Sequence, residues 1–315
     1  MRIAILGATS QIAKDLVQSF TEKSNQELVL FARRPAVVIQ WLESVGLPSR
    51  YFVADFSAFN GDERFDGLLN FVGVGDPAQA AAMGASIFDA TLEYDEMALD
   101  YVRQHPQCRY IFLSSGAAYG SGFDVPADEN TKAVVAINNL KPQDWYAVAK
   151  LHAECRHRSL PHLRIIDIRV FNYFSHTQDI SARFLITDML RAICDKTVLK
   201  ASPAYIVRDF IHPSDFYNMV AALLASPAVN EVVDCYSKAP IDKPTLLTAM
   251  QEQFGLCYEI VEATAGVNAT GGKTHYYSLN TRAADFGYVP SLTSLEGILI
   301  ESRKLLLNAR QGSWT

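Results

Sequence analysis

Three side chains in this 315-residue chain have the types and spacing for proton transfer at an alcohol or a carbonyl. Tyr146 and Lys150 stand four residues apart, so a helix would present both on one face. Because a nearby ammonium favours the phenolate, we expect Lys150 to lower the pKa of Tyr146 from about 10 toward neutrality. Such a tyrosine could exchange a proton with the substrate while hydride moves to or from a nicotinamide.

A pair of serines supplies the third group, a hydroxyl. Ser114 and Ser115 close the apolar run that begins at Phe112, and Gly116 follows them. Ligands of open α/β sheets bind at the carboxyl ends of the strands. We therefore predict that Ser115 lies beside Tyr146, and the alternative is that the serines only cap a loop.

The elements that must position these groups follow an alternating pattern. Short apolar runs alternate with helical periodicity, which is typical of βαβ units and a parallel sheet. The pattern predicts strands over 2–6, 28–32, 51–53, 69–74, 110–113 and 164–170, and helices over 11–23, 87–104 and 144–158. Beyond Phe171 it predicts helices over 182–194 and 213–225, a strand over 232–236 and a Gly-rich loop over 263–273.

The pattern predicts an α/β fold with two parts. Residues 1–172 are expected to form a Rossmann-like, doubly wound parallel sheet that binds NAD(P). Residues 173–315 are expected to form a smaller, mainly C-terminal substrate lobe, with a strand returning to the main sheet near 231–237.

A glycine turn lies between the first strand and the first helix, where a dinucleotide would be bound. Gly7 permits the tight turn, and the helix N-terminus offers free N–H groups to a pyrophosphate. Ser10 replaces the second glycine of a G-x-x-G-x-x-G/A pattern, so its Cβ limits the approach of the backbone. A plain strand-to-helix turn is the alternative. The predicted pyrophosphate-binding residues are Gly7, Thr9, Ser10, Gln11 and Ile12.

The end of the second strand bears on the choice of cofactor. An NAD-binding unit usually has a carboxylate there for the ribose 2′-hydroxyl. This chain has Arg33 and Arg34, whose guanidinium groups suit a 2′-phosphate. We therefore predict NADP as the cofactor, with NAD as the alternative. The two arginines could also be a solvated pair at the end of the strand, with no part in binding.

These motifs together resemble the extended short-chain dehydrogenase/reductase family, in the NAD-dependent epimerase/dehydratase group that modifies nucleotide sugars. The resemblance covers nearly the whole chain. It is carried by GATSQIA at 7–13, Asp55-Phe56, SSGAAYG at 114–120, YAVAK at 146–150, RVFN at 169–172, VRDFIHPSD at 207–215, and the closing segments 279–283 and 287–290.

The resemblance implies a role for each matching residue. Ser115 would bond the reacting oxygen, Tyr146 would be the acid/base, and Lys150 would hold the nicotinamide ribose. Asp55 and Phe56 would bracket the adenine, and Phe171 would lie by the nicotinamide. Asn172 and Arg208 would contact the substrate diphosphate, although Arg208 could instead pair with Asp209 or Asp215. His212 is expected to support its segment. Gly73, in the Phe71-Val72-Gly73-Val74 run that replaces the family's H-x-A-A, would border the cofactor.

Two departures from the family pattern narrow the reaction. Gly116 and Ala117 stand where dehydratases of this family have acidic residues. Ala117 also replaces the cysteine of enzymes that resemble GDP-fucose synthase. Hydride transfer at one carbon remains, so we expect NADPH-dependent reduction of a keto group on a nucleotide-linked sugar. A 4-epimerase, a reductase of another carbonyl and a non-catalytic NADP sensor are the alternatives.

Composition bears on partners and location. The net charge of −6 argues against a nucleic-acid surface. The five scattered cysteines suit reduced cytosolic thiols, and no metal site is predicted. No run approaches the ~18 apolar residues of a membrane span, so we expect a soluble, cytoplasmic protein. The family resemblance implies a homodimer.

Overall fold

The computed structural model describes residues 1–73, 80, 82–120, 122–262 and 273–310. The strands are β1 (Arg2–Leu6), β2 (Glu27–Phe31), β3 (Phe52–Ala54), β4 (Gly67–Asn70), β5 (Arg109–Ser115), β6 (Ile165–Val170), β7 (Asn172–Tyr173), β8 (Val198–Ala201), β9 (Val207–Arg208), β10 (Phe210–Ile211), β11 (Glu231–Asp234), β12 (Ile241–Asp242), β13 (Cys257–Ile260) and β14 (His275–Tyr276). The α-helices are α1 (Gln11–Lys23), α2 (Pro35–Ser44), α3 (Ser86–Gln104), α4 (Trp145–Arg158), α5 (Leu185–Asp195), α6 (Pro213–Ala225), α7 (Lys243–Phe254) and α8 (Ser294–Arg310).

The main sheet has seven parallel strands in the order β11-β6-β5-β4-β1-β2-β3. The chain runs outward from β1 in one direction to β3, then crosses back to β4 and runs outward in the other direction. The sequence prediction of a Rossmann-like, doubly wound α/β fold is therefore confirmed. The switch point between β1 and β4 opens a crevice at the carboxyl ends of the strands, which is where such sheets bind ligands.

Both faces of the sheet are covered by helices because its strands are apolar on both sides. Along β1, Ile3 and Ile5 pack on one side, with α1, α2 and α6. Ala4 and Leu6 pack on the other side, with α3 and α4. This arrangement explains the continuous apolar runs of the central strands, which show no alternation with polar residues.

The later part of the chain builds a second core from α5, α7 and α8, to which Met189, Met250 and Leu305 contribute. Short strands connect this region to the crevice: β9 pairs with β12 and β14, and β7 pairs with β10. Strand β11 joins the main sheet beside β6. The division of the chain into residues 1–172 and 173–315 stays a prediction.

One predicted strand ends earlier than expected. The run over 69–74 predicts a strand, but β4 ends at Asn70, whose side-chain oxygen accepts a hydrogen bond from the Val72 amide at 2.9 Å. The residues that follow, 71–73, border the crevice. Val74 lies outside the described residues, as do residues 263–272 of the predicted Gly-rich loop. Among the helices described, none has the length and apolar character needed to cross a membrane.

Candidate active site

A large cleft lies at the carboxyl ends of the main sheet, between it and the later part of the chain. Its volume is about 1840 Å³, compared with about 300–1,000 Å³ for a site that holds one small ligand. The cleft therefore has room for a dinucleotide and a second ligand. Most of the predicted site residues line it: Gly7, Thr9, Ser10, Gln11, Ile12, Arg33, Phe56, Gly73, Ser115, Tyr146, Lys150, Phe171, Asn172 and Arg208.

The turn between β1 and α1 has the geometry of a phosphate-binding turn. Gly7 has a φ of +81°, and a Cβ on it would lie 2.8 Å from the backbone of Phe71 and Val72. Only glycine fits this turn without strain. Ser10 is the N-cap of α1, but its side chain makes no capping hydrogen bond. The first-turn N–H groups are thus left for an anion, and these residues fit the pyrophosphate of a dinucleotide.

At the adenosine end of the cleft, the predicted residues divide into two groups. Arg33 and Phe56 line the cleft, and the Phe56 ring lies 4.6 Å from that of Tyr94. Arg34 and Asp55 are exposed and do not line it. Hydrogen bonds from the Ser57 hydroxyl and amide to the Asp55 carboxylate lower the pKa of Asp55. Asp55 therefore caps the short helical turn that carries Phe56 toward the cleft.

Ser115 is the last residue of β5 and faces groups from two other segments. The Ala117 amide donates a hydrogen bond to its Oγ at 3.1 Å, and the Tyr276 hydroxyl lies 3.4 Å from the same atom. The neighbouring Ser114 hydroxyl instead donates to the Glu154 carboxylate. The two serines thus have different partners.

Tyr146 and Lys150 both lie on α4 and both line the cleft, as the spacing predicts. The Lys150 ammonium donates to the Leu113 carbonyl at 2.8 Å and lies 4.4 Å from the Phe112 ring centre. It lies 5.9 Å from the centre of the Tyr146 ring. Burial lowers the pKa of Lys150 to about 8.

The expected effect of Lys150 on Tyr146 is wrong for this conformation. Burial raises the pKa of Tyr146, and hydrogen bonding to Ser115 offsets only part of the rise. The physical reason is that the Lys150 ammonium is anchored at the Leu113 carbonyl. The phenol is therefore protonated and can donate its proton at neutral pH.

Arg208 and Asn172, which the resemblance assigns to the substrate diphosphate, line the cleft from β9 and β7. Arg208 is 3% exposed and donates to the carbonyls of Val207 and Lys273 at 2.8 and 2.9 Å. Burial lowers its pKa to about 10. The Asn172 amide group donates to the Asp209 carbonyl at 3.1 Å. Both side chains are thus held in place by backbone oxygens.

The two carboxylates considered as partners of Arg208 accept hydrogen bonds from serine residues. Asp209 accepts hydrogen bonds from the Ser237 amide and the Ser294 hydroxyl. Asp215 accepts from the amide and hydroxyl of Ser291. His212 caps the N-terminus of α6 through the Ser214 amide, which agrees with a supporting role.

Among the cleft residues that the sequence does not predict are Lys243, Lys273 and Tyr276. The Lys273 ammonium lies 4.5 Å from the centre of the Tyr276 ring. Burial, with the charge of Arg208, lowers the pKa of Lys273 to about 8. Lys243 donates to the Ser202 carbonyl at 2.6 Å. No spacing in the sequence marks these residues, because only the pairing of β9 with β12 and β14 brings them together.

The Phe171 ring packs directly against the backbone that follows Ser115. A Cβ on Gly116 would overlap the carbons of this ring. The Tyr276 ring also packs against that of Phe171, with ring centres 5.2 Å apart. A carboxylate side chain has no room at position 116 in this arrangement.

A model of the NAD dependent epimerase/dehydratase family matches residues 3–236. No curated protein matches the chain. Among solved structures, a UDP-glucose 4-epimerase from Stenotrophomonas maltophila aligns with a TM-score of 0.79 and 15% identity over 99% of this chain and 100% of that one. A UDP-glucose 4-epimerase from Thermotoga maritima aligns with a TM-score of 0.78 and 16% identity, over 98% and 100% of the two chains.

A third solved structure has a different activity in its name. It is a dTDP-glucose 4,6-dehydratase from Bacillus anthracis in complex with NAD, with a TM-score of 0.76 and 16% identity over 100% of this chain and 98% of that one. At these identities the likeness shows a shared fold over the full length.

Proposed function

The chain belongs to the NAD-dependent epimerase/dehydratase family, and from this premise we propose that it transfers hydride at one carbon of a nucleotide-linked sugar. We propose reduction of a keto group by NADPH as the reaction. The observation that carries the proposal is the presence of Ser115, Tyr146 and Lys150 in the cleft that also contains the phosphate turn. The glycine at position 116, covered by Phe171, argues against dehydration because the acid of a dehydratase has no room there.

Each of the three residues has a task in this reaction. Ser115 donates a hydrogen bond to the keto oxygen and polarises the carbonyl. Tyr146 gives its proton to that oxygen as the alcohol forms. Lys150 would hold the ribose of the cofactor. When bound, the nicotinamide would supply the hydride.

Arg33 supports NADP as the cofactor. It lines the cleft at the adenosine end, where a guanidinium suits a 2′-phosphate. The several NAD-bound structures among those with this fold support NAD as the alternative.

Three cations support a nucleoside diphosphate on the substrate. Arg208, Lys243 and Lys273 line one region of the cleft, and the charge of Arg208 lowers the pKa of both lysines in addition to burial. An anion between these groups would relieve their repulsion. Asn172 lies in the same region and offers a neutral donor.

The second candidate is 4-epimerisation, which uses the same Ser115, Tyr146 and Lys150. The solved structures support it, since most of those named are 4-epimerases of UDP sugars. In that case the hydride would return to the other face of the same carbon, and NAD would stay bound through turnover.

We also propose a homodimer in which α3 and α4 of two copies pack together. A shallow recess between these helices is lined by Phe88 and Leu92 from α3 and by His152 from α4. Leu92 is 43% exposed in the single chain, and a second copy would cover it.

Cofactor titration followed by turnover tests the proposed function. Fluorescence titration of the purified protein should give a clear preference for NADPH over NADH. Arg33→Ser should reduce NADPH affinity by about 10- to 100-fold through loss of charge-assisted hydrogen bonds. The matched Arg34→Ser should have the smaller effect, because Arg34 does not line the cleft.

Turnover then identifies the reaction. The wild-type protein should oxidise NADPH in the presence of 4-keto sugar nucleotides, and Tyr146→Phe should abolish this while NADPH binding persists. Tightly retained NAD, with interconversion of UDP sugars and no net oxidation of NADPH, would favour the epimerase. Equal binding of NADPH and NADH would contradict the role of Arg33.

A further inference from the structure

Tyr276 brings a second phenol to the serine of the proposed active site. It belongs to β14, far along the chain from Ser115, yet its hydroxyl lies 3.4 Å from the Ser115 Oγ. Tyr276 is 5% exposed, and its ring packs edge-on against Phe123 with centres 4.8 Å apart. The ring therefore has little freedom to turn its hydroxyl away from Ser115.

The backbone of Tyr276 is fixed as firmly as its ring. Strand β14 pairs in parallel with β9, which places Tyr276 opposite Arg208. The preceding His275 amide donates to the Phe123 carbonyl at 2.8 Å. The Asn172 amide group lies 3.4 Å from the Tyr276 carbonyl. The position of this phenol is thus set by three segments, and Asn172 and Arg208 from two of them line the cleft.

The number of hydrogen bonds that a serine hydroxyl can make limits where the Ser115 proton can go. A hydroxyl can donate one hydrogen bond and accept two. The Ala117 amide already donates to the Ser115 Oγ at 3.1 Å. If the Tyr276 hydroxyl donates as well, both acceptor positions of Ser115 are filled. Ser115 is then left with its own proton, which it can give only to another acceptor: the Tyr146 oxygen, to which it is hydrogen-bonded here, or the reacting oxygen of a bound substrate.

We propose that Tyr276 is a positioning residue that donates to Ser115 and so directs the Ser115 proton toward the reacting oxygen. The inference rests on the proposed function, because the reacting oxygen is that of the sugar carbonyl or alcohol. A phenol is a stronger donor than an aliphatic hydroxyl, so the direction of the bond follows from the chemistry of the pair. The 3.4 Å separation is long, but such bonds in ligand-free active sites tighten around the substrate.

The Tyr276 phenol is available as a donor at neutral pH. Burial raises the pKa of Tyr276, so its phenol keeps its proton throughout the neutral range. A buried donor without an acceptor would be costly, and the Ser115 Oγ is an acceptor within reach.

A double-mutant cycle tests whether Tyr276 acts through Ser115. Tyr276→Phe keeps the ring and removes the hydroxyl, and it should lower kcat/KM about ten-fold, as expected for one lost hydrogen bond. Ser115→Ala should cost more. The double variant should be no worse than Ser115→Ala within two-fold, because the phenol has no task without the serine. The matched control is Tyr277→Phe, since the Tyr277 ring lies against His275 and should change kcat/KM by less than two-fold.

Nuclear magnetic resonance of protein labelled at tyrosine Cζ gives a readout that needs no turnover. The Tyr276 resonance is assigned as the one absent from Tyr276→Phe. It should shift in Ser115→Ala. It should stay in place in Ser114→Ala, because the Ser114 hydroxyl donates to Glu154 and not to Tyr276. An unmoved resonance in Ser115→Ala, or multiplicative losses of activity in the cycle, would overturn the proposal. If the wild-type protein turns over no nucleotide sugar, the proposed function fails, and the resonance still decides whether Tyr276 bonds Ser115.

Discussion

At the scale of single residues, Lys150 holds its ammonium in a site that leaves 4% of the residue exposed, against the Leu113 carbonyl and the Phe112 ring. Burial lowers its pKa from 10.5 to about 8, while the carboxylates of Asp95 and Glu154 act in the opposite direction. The folded chain therefore binds the Lys150 proton less tightly than the unfolded chain does. The buried ammonium of Lys150 therefore lowers the stability of the fold. Its proposed role in holding the cofactor explains why the residue is there.

Because the folded chain binds this proton less tightly, stability depends on pH, and the direction of that dependence gives a prediction for Lys150→Met. Below about pH 8 the lysine is charged in both states, so the folded protein bears the full cost of the buried charge. Between about pH 8 and 10.5 the folded protein loses the proton first, and its stability rises relative to a variant without the lysine. We expect Lys150→Met to be inactive but more stable by about 1–2 kcal/mol at pH 7, because the loss of a partner for the Leu113 carbonyl offsets part of the gain.

Urea unfolding at pH 7 and at pH 9.5 measures both parts of this prediction. The advantage of Lys150→Met should shrink at the higher pH. The exposed Lys132→Met serves as the control and should change the free energy of unfolding by less than about 0.5 kcal/mol at either pH. The lowered pKa of Lys150 would be contradicted if the stability advantage of Lys150→Met over wild type were larger at pH 9.5 than at pH 7.

The residues of the candidate site differ in how well the sequence predicts them. Ser115, Tyr146 and Lys150 stand in short local motifs, and the sequence alone predicts that they share a cleft. Tyr276 and Lys273 follow a segment without periodicity, so nothing local marks them. The prediction that Lys150 lowers the pKa of Tyr146 was wrong, because spacing on a helix does not reveal the Leu113 carbonyl that holds the ammonium.

At the scale of elements, α3 and α4 lie side by side on one face of the main sheet and join it through shared apolar contacts. Their outer surface carries Leu92, and the recess beside it contains Phe88. If two copies pack through these helices, a charge at Leu92 would have to be buried in an apolar interface.

The prediction for the helices is therefore Leu92→Asp. Light scattering should give wild-type protein a mass twice the 34.9 kDa of one chain. Leu92→Asp should weaken the dimer by at least about 100-fold and appear as a monomer at micromolar concentration. Leu307→Asp is the matched control, because Leu307 is an exposed leucine on α8, and it should stay dimeric. Wild-type protein of single-chain mass would refute the interface.

The elements themselves were predictable to different degrees. Helices α1, α3, α4 and α6 and the strands of the main sheet other than β4 have long or strongly apolar patterns, so their predicted bounds are close to those observed. Strands such as β9, β12 and β14 have two residues each and carry no period of their own. No bounds were predicted for helices α2, α7 and α8, although Asp242 caps α7 through the Thr245 amide at 2.8 Å.

At the scale of the whole molecule, the phosphate turn is connected to the last helix through the segment after β7. The Gln11 amide group donates to the Ser175 hydroxyl at 2.8 Å. Buried Asp15, one turn further along α1, accepts from the hydroxyls of Tyr173 and Thr177, each at 2.8 Å. The start of α1 is thus fixed by a segment that belongs to the later part of the chain.

Glu301 on α8 completes this connection. It is 1% exposed and accepts hydrogen bonds from the His176 amide and ring, the His212 ring and the Lys304 ammonium. Burial alone would raise the pKa of Glu301, but the hydrogen bonds from His176, His212 and Lys304 hold it well below its usual value of 4.5. One carboxylate therefore joins α8 to both the segment after β7 and the start of α6.

Glu301→Gln tests how strongly α8 is held, since it keeps the size of the side chain and removes the charge. At pH 7 we expect a loss of about 3 kcal/mol in the free energy of unfolding, because several donors lose an ionised acceptor in a buried site. The wild-type contribution is present above pH 4.5 and is lost as the pH falls, so the difference between the proteins should narrow by about 1 kcal/mol at pH 4. Urea unfolding at both pH values measures this, with the exposed Glu252→Gln on α7 as a control that should change nothing. A difference that widens at pH 4, or a Glu301→Gln variant as stable as the control, would show that the hydrogen bonds to Glu301 do not hold α8 in place.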